Sequence, residues 1–314
     1  MRTLRLVPDN TRIPFFRYRW IAFVWSLIVL VGSIGLVATK GLNFGIDFRG
    51  GILIEVETPT PADLAVMRTT LRALGLGEVS LQTAGSDREV MIRLEQQQGG
   101  QDAQTRAVET IKEALAERLG EGLVWQRAEF VGPKVSSELL RNGVYAVLVS
   151  FAGVLIYLWF RFEWQYGVAA IASLIHDVSA SIGIYALTGL EFNLTSVAAL
   201  LTIVGYSLND TVVIFDRVRE NLRRFKAMPL EELLDRSINE TLARTLATSL
   251  TTMLALLALY LFGGAVISGF TIIMIWGVII GTYSTIYIAT PVLYYLNLRG
   301  EDAPTTSVPT AQGT

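Results

Sequence analysis

The chain has 314 residues, of which 52% are hydrophobic and 17% charged, and its formal net charge is −2. This composition favours a polytopic membrane protein over a soluble domain. The chain has no cysteine, which excludes disulfides and thiolate chemistry, and its single histidine excludes a histidine-rich metal site.

An arginine-rich tail (residues 1–19) opens the chain, and an apolar segment follows at 20–39. This segment is longer than the apolar core of a signal peptide, and the sequence LVATK at its end offers no small-residue cleavage site. We therefore predict a retained transmembrane helix.

Residues 40–139 are the only long polar stretch, and they predict one α+β domain. Extended segments and amphipathic helices alternate as strand, helix, strand, strand, helix, strand. In order they are LNFGIDFRGGILIEVE, PTPADLAVMRTTLRALG, EVSLQTA, EVMIRLE, TRAVETIKEALAERLG and LVWQRAEFV. This is the βαββαβ order of ferredoxin-like domains. Because the segment has no phosphate loop, metal-ligand cluster or nucleophile–base pair, we expect binding or mechanical coupling from it.

Glycines mark both connections between this domain and the membrane. Gly45, Gly50 and Gly51 follow the first apolar segment, and Gly132-Pro133 precedes the second. These residues are candidate hinges, or ordinary turns at a domain boundary.

Five more segments are apolar over the roughly 20 residues that a bilayer requires. They lie at 142–160, 166–188, 194–215, 243–262 and 268–296. We therefore predict helices two to six within 140–298, and a disordered cytoplasmic tail at 299–314.

The short connections predict the orientation of the chain. The connection at 216–242 carries six basic residues, whereas TGLEFN and FGGAVIS, on the other side, carry none. By the positive-inside rule, both termini are cytoplasmic and the polar domain lies on the opposite side.

An acid interrupts the fourth apolar segment. Asp210 lies about 24 Å along the predicted helix from Leu194, at 1.5 Å per residue. An acid near a helix centre costs roughly 2.5–3.5 kcal/mol to insert, so its presence suggests a function. Arg244 leads the next segment. Burial favours a protonated Asp210 and a nearby arginine favours the ionised form, so this pair is a candidate proton-transport site. The alternative is a static helix contact with a snorkelling arginine.

Further polar groups are candidates for an accessory relay. His176 and Asp177 lie in the third apolar segment, and Asn209 and Thr211 flank Asp210. Structural hydrogen bonding is the alternative role. In the sixth segment, Gly277 and Gly281 have the GxxxG spacing that is typical of close helix packing.

At these residues the chain resembles the SecF members of the SecD/SecF family of bacterial protein export, which belongs to the RND superfamily. The resemblance rests on FGIDFRGG, VGPKVSSELLRNG, HDV, YSLNDTVVIFDRVREN and RTLATSLTT, in that order. The fourth block is the most specific.

The resemblance implies a polytopic α-helical protein with six transmembrane helices, one RND-transporter half, and a periplasmic ferredoxin-like domain between the first two. It also implies a SecD heterodimer in the inner membrane, associated with the SecYEG channel, YajC and YidC. Such a complex uses the proton-motive force, with no other cofactor, to complete translocation of unfolded polypeptides after the SecA steps. The family's proton-transport residues fall on Asp210 and Arg244. The resemblance implies a transporter, not an enzyme.

Three other functions are alternatives to this one. A small-molecule RND exporter usually carries twelve helices in one chain, and a passive scaffold moves no protons. An intramembrane hydrolase would use Ser207 and His176, but GYSLN lacks the G-x-S-x-G elbow.

Overall fold

The computed structural model describes residues 8, 11–83, 86–120, 122–296 and 298, with the backbone alone at 265 and 266. The tail predicted at 299–314 lies outside the described residues, as does most of 1–10. The elements, in chain order, are α1 (Arg19–Lys40), β1 (Asn43–Phe44), α2 (Ile46–Arg49), β2 (Gly51–Glu57), α3 (Leu64–Ala73), β3 (Val79–Thr83), β4 (Glu89–Leu94), α4 (Gly100–Leu119), β5 (Val124–Val131), α5 (Pro133–Arg161), α6 (Trp164–Thr188), β6 (Glu191–Phe192), α7 (Leu194–Arg224), α8 (Leu230–Phe262), α9 (Ala265–Ser284) and α10 (Thr290–Tyr295).

Six described helical segments are long and apolar enough to cross a membrane, which confirms the predicted fold class. They are α1, α5, α6, α7, α8, and α9 joined to α10 through a π-helical turn at Thr285–Ala289. In α6, α7 and the last span, 50–61% of the most apolar window is buried, against 11–17% in α1, α5 and α8. The spans α6, α7 and α9–α10 therefore form the centre of the bundle, and α1, α5 and α8 surround it.

The helices extend beyond the predicted apolar segments. The connection predicted at 216–242 is mostly helical, because α7 continues to Arg224 and α8 begins at Leu230. Its apolar positions have helical spacing and are buried, as at Leu234 and Ile238. The segment before α1 packs on this extension. Asp235 Oδ1 accepts a hydrogen bond from the Phe16 amide at 2.9 Å.

The extramembrane domain (residues 51–131) has the predicted ferredoxin-like order. Its antiparallel sheet is ordered β3-β4-β2-β5, and α3 and α4 cover one face. Alternate strand residues such as Ile54 and Ile92 are buried under the helices. The other face of the sheet carries their neighbours, among them Arg93.

The first predicted strand is wrong over part of its length. LNFGIDFRGGILIEVE is not continuously extended, because Ile46–Arg49 form one helical turn (α2) and β1 lies outside the domain sheet. Gly50 follows α2 and Gly51 begins β2, with φ of +76° and +119°, in the left-handed region that glycine adopts readily.

The extramembrane domain rests on the bundle through β1 and β6. These two-residue strands pair in parallel, Asn43 with Glu191 and Phe44 with Phe192. Phe44, Phe48 and Phe192 form an aromatic cluster beneath the pair, with ring centroids 5.8–6.1 Å apart. The open face of the sheet therefore meets the connection between α6 and α7.

Candidate proton-transport site

Asp210 lies at the contact between α7 and α8 and is almost fully buried, at 3% exposure. Its Oδ1 accepts one long hydrogen bond, from Thr248 Oγ1 at 3.4 Å. Its Oδ2 is buried and has no hydrogen-bond partner among the described residues. One oxygen of this carboxyl group is therefore free to take a proton.

Arg244 lies one helical turn before Thr248, but its side chain is exposed at the surface of α8. Among the described residues, the hydrogen-bond partner of the Asp210 carboxyl group is Thr248 and not Arg244. Thr245, its neighbour, is buried, and its hydroxyl has no partner in the described part of the chain. Asp210 thus faces a hydroxyl-rich stretch of α8, and Arg244 is an exposed residue of that helix.

A second buried acid, Asp177, joins the three central helices and is 0% exposed. Its Oδ2 accepts hydrogen bonds from Ser207 Oγ of α7 at 2.6 Å and from Ser284 Oγ of α9 at 2.8 Å. Its Oδ1 lies 3.2 Å from His176 Nδ1, and Ser284 also contacts Ser173 at 2.9 Å. We name these residues the Asp177 cluster.

The Asp177 cluster reaches the Asp210 region along α7. Ser207 precedes Asp210 by one turn, and Thr211 Oγ1 donates to the Ser207 carbonyl at 3.0 Å. Thr211 Oγ1 also lies 3.0 Å from Thr285 Oγ1, at the start of the π-helical turn. Single π-helical turns often occur at functional sites. Buried hydroxyl groups therefore extend from the Asp177 cluster along α7 to Thr211, the residue that follows Asp210.

Of the predicted accessory residues, the structure brings three together and leaves one apart. His176, Asp177 and Thr211 belong to this buried network, whereas the side chain of Asn209 is exposed on α7. Sequence reasoning did not identify Ser284 and Thr285, because hydroxyl residues in an apolar helix usually mark packing.

The glycines of the last span allow close helix packing, as their spacing predicts. A Cβ at Gly277 would overlap Ile203 of α7, and one at Gly281 would lie 3.2 Å from Ser207 Cβ. Both contacts bring α9 against α7 beside the Asp177 cluster.

The candidate hinge glycines lie in packed surroundings. A Cβ at Gly45 would overlap the Glu191 side chain, and one at Gly51 would overlap the Leu94 carbonyl oxygen. Gly132 is the residue before α5 and Pro133 its first residue, where the missing amide hydrogen of proline costs no helical bond. The hinge role stays a prediction.

Within the described ranges, no three His, Cys, Asp or Glu side chains converge.

Comparisons with known proteins place these residues in a family context. The family model for the C-terminal part of the SecD/SecF protein export membrane proteins matches residues 110–299, and the SecD/SecF GG motif matches 35–62. The chain is 43% identical to the protein translocase subunit SecF of Rhodobacter capsulatus, over 94% of this chain and 92% of that protein. It is also 43% identical to the SecF subunit of Rickettsia bellii, over 92% and 95%.

Solved structures give the same relationship. A crystal structure of SecDF from Thermus, described as a translocon-associated membrane protein, is 36% identical with a TM-score of 0.85 and matches 94% of this chain. SecDF in a super-membrane-facing form gives a TM-score of 0.68 over 93% of this chain. The chain spans 40% of the length of each.

Proposed function

Because the chain belongs to the SecD/SecF protein-export family, we propose that it is one half of a proton-driven transporter for unfolded polypeptides. A SecD subunit supplies the other half, since the chain corresponds to only 40% of the SecDF chain. The complete transporter finishes export across the cytoplasmic membrane after the SecA steps.

The proposal includes an orientation and further partners. The basic residues at 216–242 favour termini in the cytoplasm and an extramembrane domain in the periplasm. SecYEG, YajC and YidC are the partners that the resemblance implies. Co-purification from native membranes tests each of them.

Asp210 carries the proton in this proposal. The observation behind it is the buried carboxyl group with one unpartnered oxygen and one long hydrogen bond. Burying an unpaired polar atom is costly, so proteins rarely keep one without a role. Binding a proton converts that oxygen into a donor and changes the contact between α7 and α8.

Arg244 has its role at the surface. Its exposed guanidinium lies at the outer side of α8, where an acid of a partner subunit could pair with it. We assign it the task of favouring release of the proton from Asp210 when the helices repack. The SecD half completes the path.

The driving force is sufficient for such a cycle. A proton crossing a membrane gains about 2.3 kcal/mol per 100 mV. This energy is enough to shift a two-state equilibrium whose conformers differ by a few kcal/mol. The proton gradient is therefore the energy source, and we assign no cofactor.

We assign no enzymatic activity to the chain. A Ser207 nucleophile would need His176 as its base, but Ser207 Oγ donates to Asp177. The hydroxyl is engaged in packing three helices, which argues against the hydrolase alternative.

Reconstitution with the SecD partner, SecYEG and SecA tests the proposal. Proton flux and completed translocation are measured in proteoliposomes with and without an imposed gradient. We expect Asp210→Asn and Arg244→Ala to reduce gradient-driven export to the level seen without a gradient.

Asp216→Asn is the matched control, because it removes a carboxylate from the same helix. Asp216 lies at the bundle surface in an ion pair with Arg161 at 2.8 Å, and we expect its variant to keep flux and export. If both site variants assemble with SecD and retain parental flux and export, the chain is a passive scaffold. Self-assembly without SecD would favour an RND exporter of small molecules.

A further inference from the structure

A cluster of polar side chains joins the extramembrane domain to the connection that leads into the start of α7, beside the hinge candidate Gly45. Arg93 of β4 donates from Nη2 to Glu191 Oε2 at 2.7 Å and from Nη1 to Asn43 Oδ1 at 3.0 Å. Asn43 Nδ2 donates to the Gly189 carbonyl oxygen at 2.8 Å. Three separate parts of the chain are therefore held by one guanidinium group and one amide.

These contacts are largely buried. The Arg93 and Glu191 side chains are 12% and 11% exposed, so the pair is shielded from water and ions. Surface ion pairs contribute little because water screens them, whereas removing one member of a shielded, hydrogen-bonded pair leaves the other buried without a partner. A lysine in place of Arg93 could not reach Asn43 and Glu191 together, since only arginine presents a planar fork of donors.

Glu191 is tied directly to the start of α7. Its carbonyl oxygen accepts a hydrogen bond from Ser196 Oγ at 3.1 Å, and Asn193 caps the helix with Ser196 in a capping box. Asp47 Oδ2 of α2 also accepts from the Leu194 amide at 2.8 Å. From there α7 runs without a break past Asp210, about 24 Å along the helix.

The extramembrane domain has space to move beside this contact. A cleft of about 1020 Å³ lies next to Arg93, between the free edge strand β3 and residues 43–50. The domain is therefore held on one side by the polar cluster and is open on the other.

We propose that Arg93, Glu191 and Asn43 form a latch that transmits movement of α7 to the extramembrane domain. This proposal rests on the proposed function, because it supplies the step between the proton site and the export substrate. Arg93 and Glu191 act as positioning residues, and neither transfers the proton that is transported. When α7 shifts, Glu191 shifts with it, and the latch rotates the domain about the α1 and α5 connections.

The absence of native cysteine allows a direct test by spin labelling. Thr110→Cys on the exposed side of α4 and Thr188→Cys at the end of α6 place one label on the domain and one on the bundle. Electron–electron resonance measures the distance distribution between them in the SecD complex in proteoliposomes. We expect one narrow population in the parent, and a broader distribution with added longer distances in Arg93→Ala and Glu191→Ala.

Two variants separate the latch from a general loss of structure. Glu191→Gln keeps an acceptor for Arg93, so we expect it to retain the narrow population. Arg88→Ala removes an exposed arginine of the same domain and controls for the change in charge. Proton flux and export are measured in the same vesicles. The two alanine variants should keep the proton flux and lose export by about fivefold or more, a factor of the size that coupling between two sites usually has.

The latch is refuted if both alanine variants keep the parental distance distribution, or keep the parental ratio of export to flux. This result is distinct from failure of the proposed function, which is measured by Asp210→Asn and needs no spin label.

Discussion

Two acids are buried in neighbouring helices of this bundle, and they differ in their hydrogen bonding. Asp177 receives two short bonds from serines of α7 and α9 and contacts His176. Asp210 receives one long bond, and its second oxygen is unpartnered among the described residues. A fully bonded carboxylate fixes a structure, whereas a partly bonded one can change its protonation with little rearrangement. We therefore assign packing to the first and proton transfer to the second.

Removing the Asp177 carboxylate should destabilise the bundle. Asp177→Ala removes the acceptor of two interhelical bonds, each worth about 0.6–2 kcal/mol in membrane proteins, and leaves two serine hydroxyls buried. We expect a loss of about 2–4 kcal/mol in the free energy of unfolding, measured by denaturant titration in detergent. Asp177→Asn keeps one acceptor and should lose less.

Asn209→Ala is the control for that measurement, because Asn209 is exposed on the neighbouring helix. It should change stability by no more than about 0.5 kcal/mol. Parental stability in Asp177→Ala would contradict the packing role of the Asp177 cluster.

Asp210 could be identified from the sequence because a charge in an apolar segment needs a reason. Its partners could not be identified in the same way. Arg244 leads the apolar segment that follows the one with Asp210, but the direction of its side chain depends on the packing of α8. Ser284 and Thr285 look like ordinary helix contacts until the structure brings them to Asp177 and Thr211.

At the scale of elements, apolar length predicts that a helix exists but not where it ends. The apolar segment predicted at 243–262 is the second part of α8. The helix already begins at Leu230, because the residues before the apolar segment are amphipathic and pack against the segment that precedes α1. In the last span, Pro291 removes one backbone donor, and the π-helical turn at Thr285–Ala289 precedes it.

The contact between α7 and α9 depends on one glycine more than on another of the same helix. A Cβ at Gly277 would overlap Ile203, whereas a Cβ at Gly269 would meet no atom within 4 Å. We expect Gly277→Ala to lower the free energy of unfolding by about 1–3 kcal/mol through overpacking. Gly269→Ala should be neutral or raise it by up to about 1 kcal/mol, because alanine favours the helix.

Thermal unfolding of the two glycine variants in one detergent checks this prediction. Equal effects would show that α7 and α9 tolerate a wider separation than the structure has.

At the scale of the whole molecule, the sequence predicts six membrane helices from apolar length and the order of the domain elements from local apolar periodicity. It does not predict the latch. Arg93 and Glu191 are 98 residues apart, and β1 and β6 are two residues long, so neither leaves a periodic signal. The placement of the domain depends on contacts of this non-local kind.

The latch also gives the molecule a dependence on the pH at the side of the extramembrane domain. Burial raises the pKa of Glu191, and this effect outweighs the attraction of Arg93. Asp47 of α2 raises it further, whereas Arg127 of β5 lowers it. A released Glu191 is exposed to water and has its usual pKa. At a pH between the usual and the raised pKa, Glu191 binds a proton in the latched form but not in the released form. A fall in pH therefore favours the latch, and a rise in pH through the raised pKa weakens it.

A pH titration of the Thr110–Thr188 distance distribution checks this sign. The population at the latched distance should increase as the pH falls through the window between the usual and the raised pKa of Glu191. In Glu191→Gln the population should stay latched and show no change over that window, because the titrating group is gone. A latched population that decreases on acidification, or a pH dependence that persists in Glu191→Gln, would show that another group controls the domain.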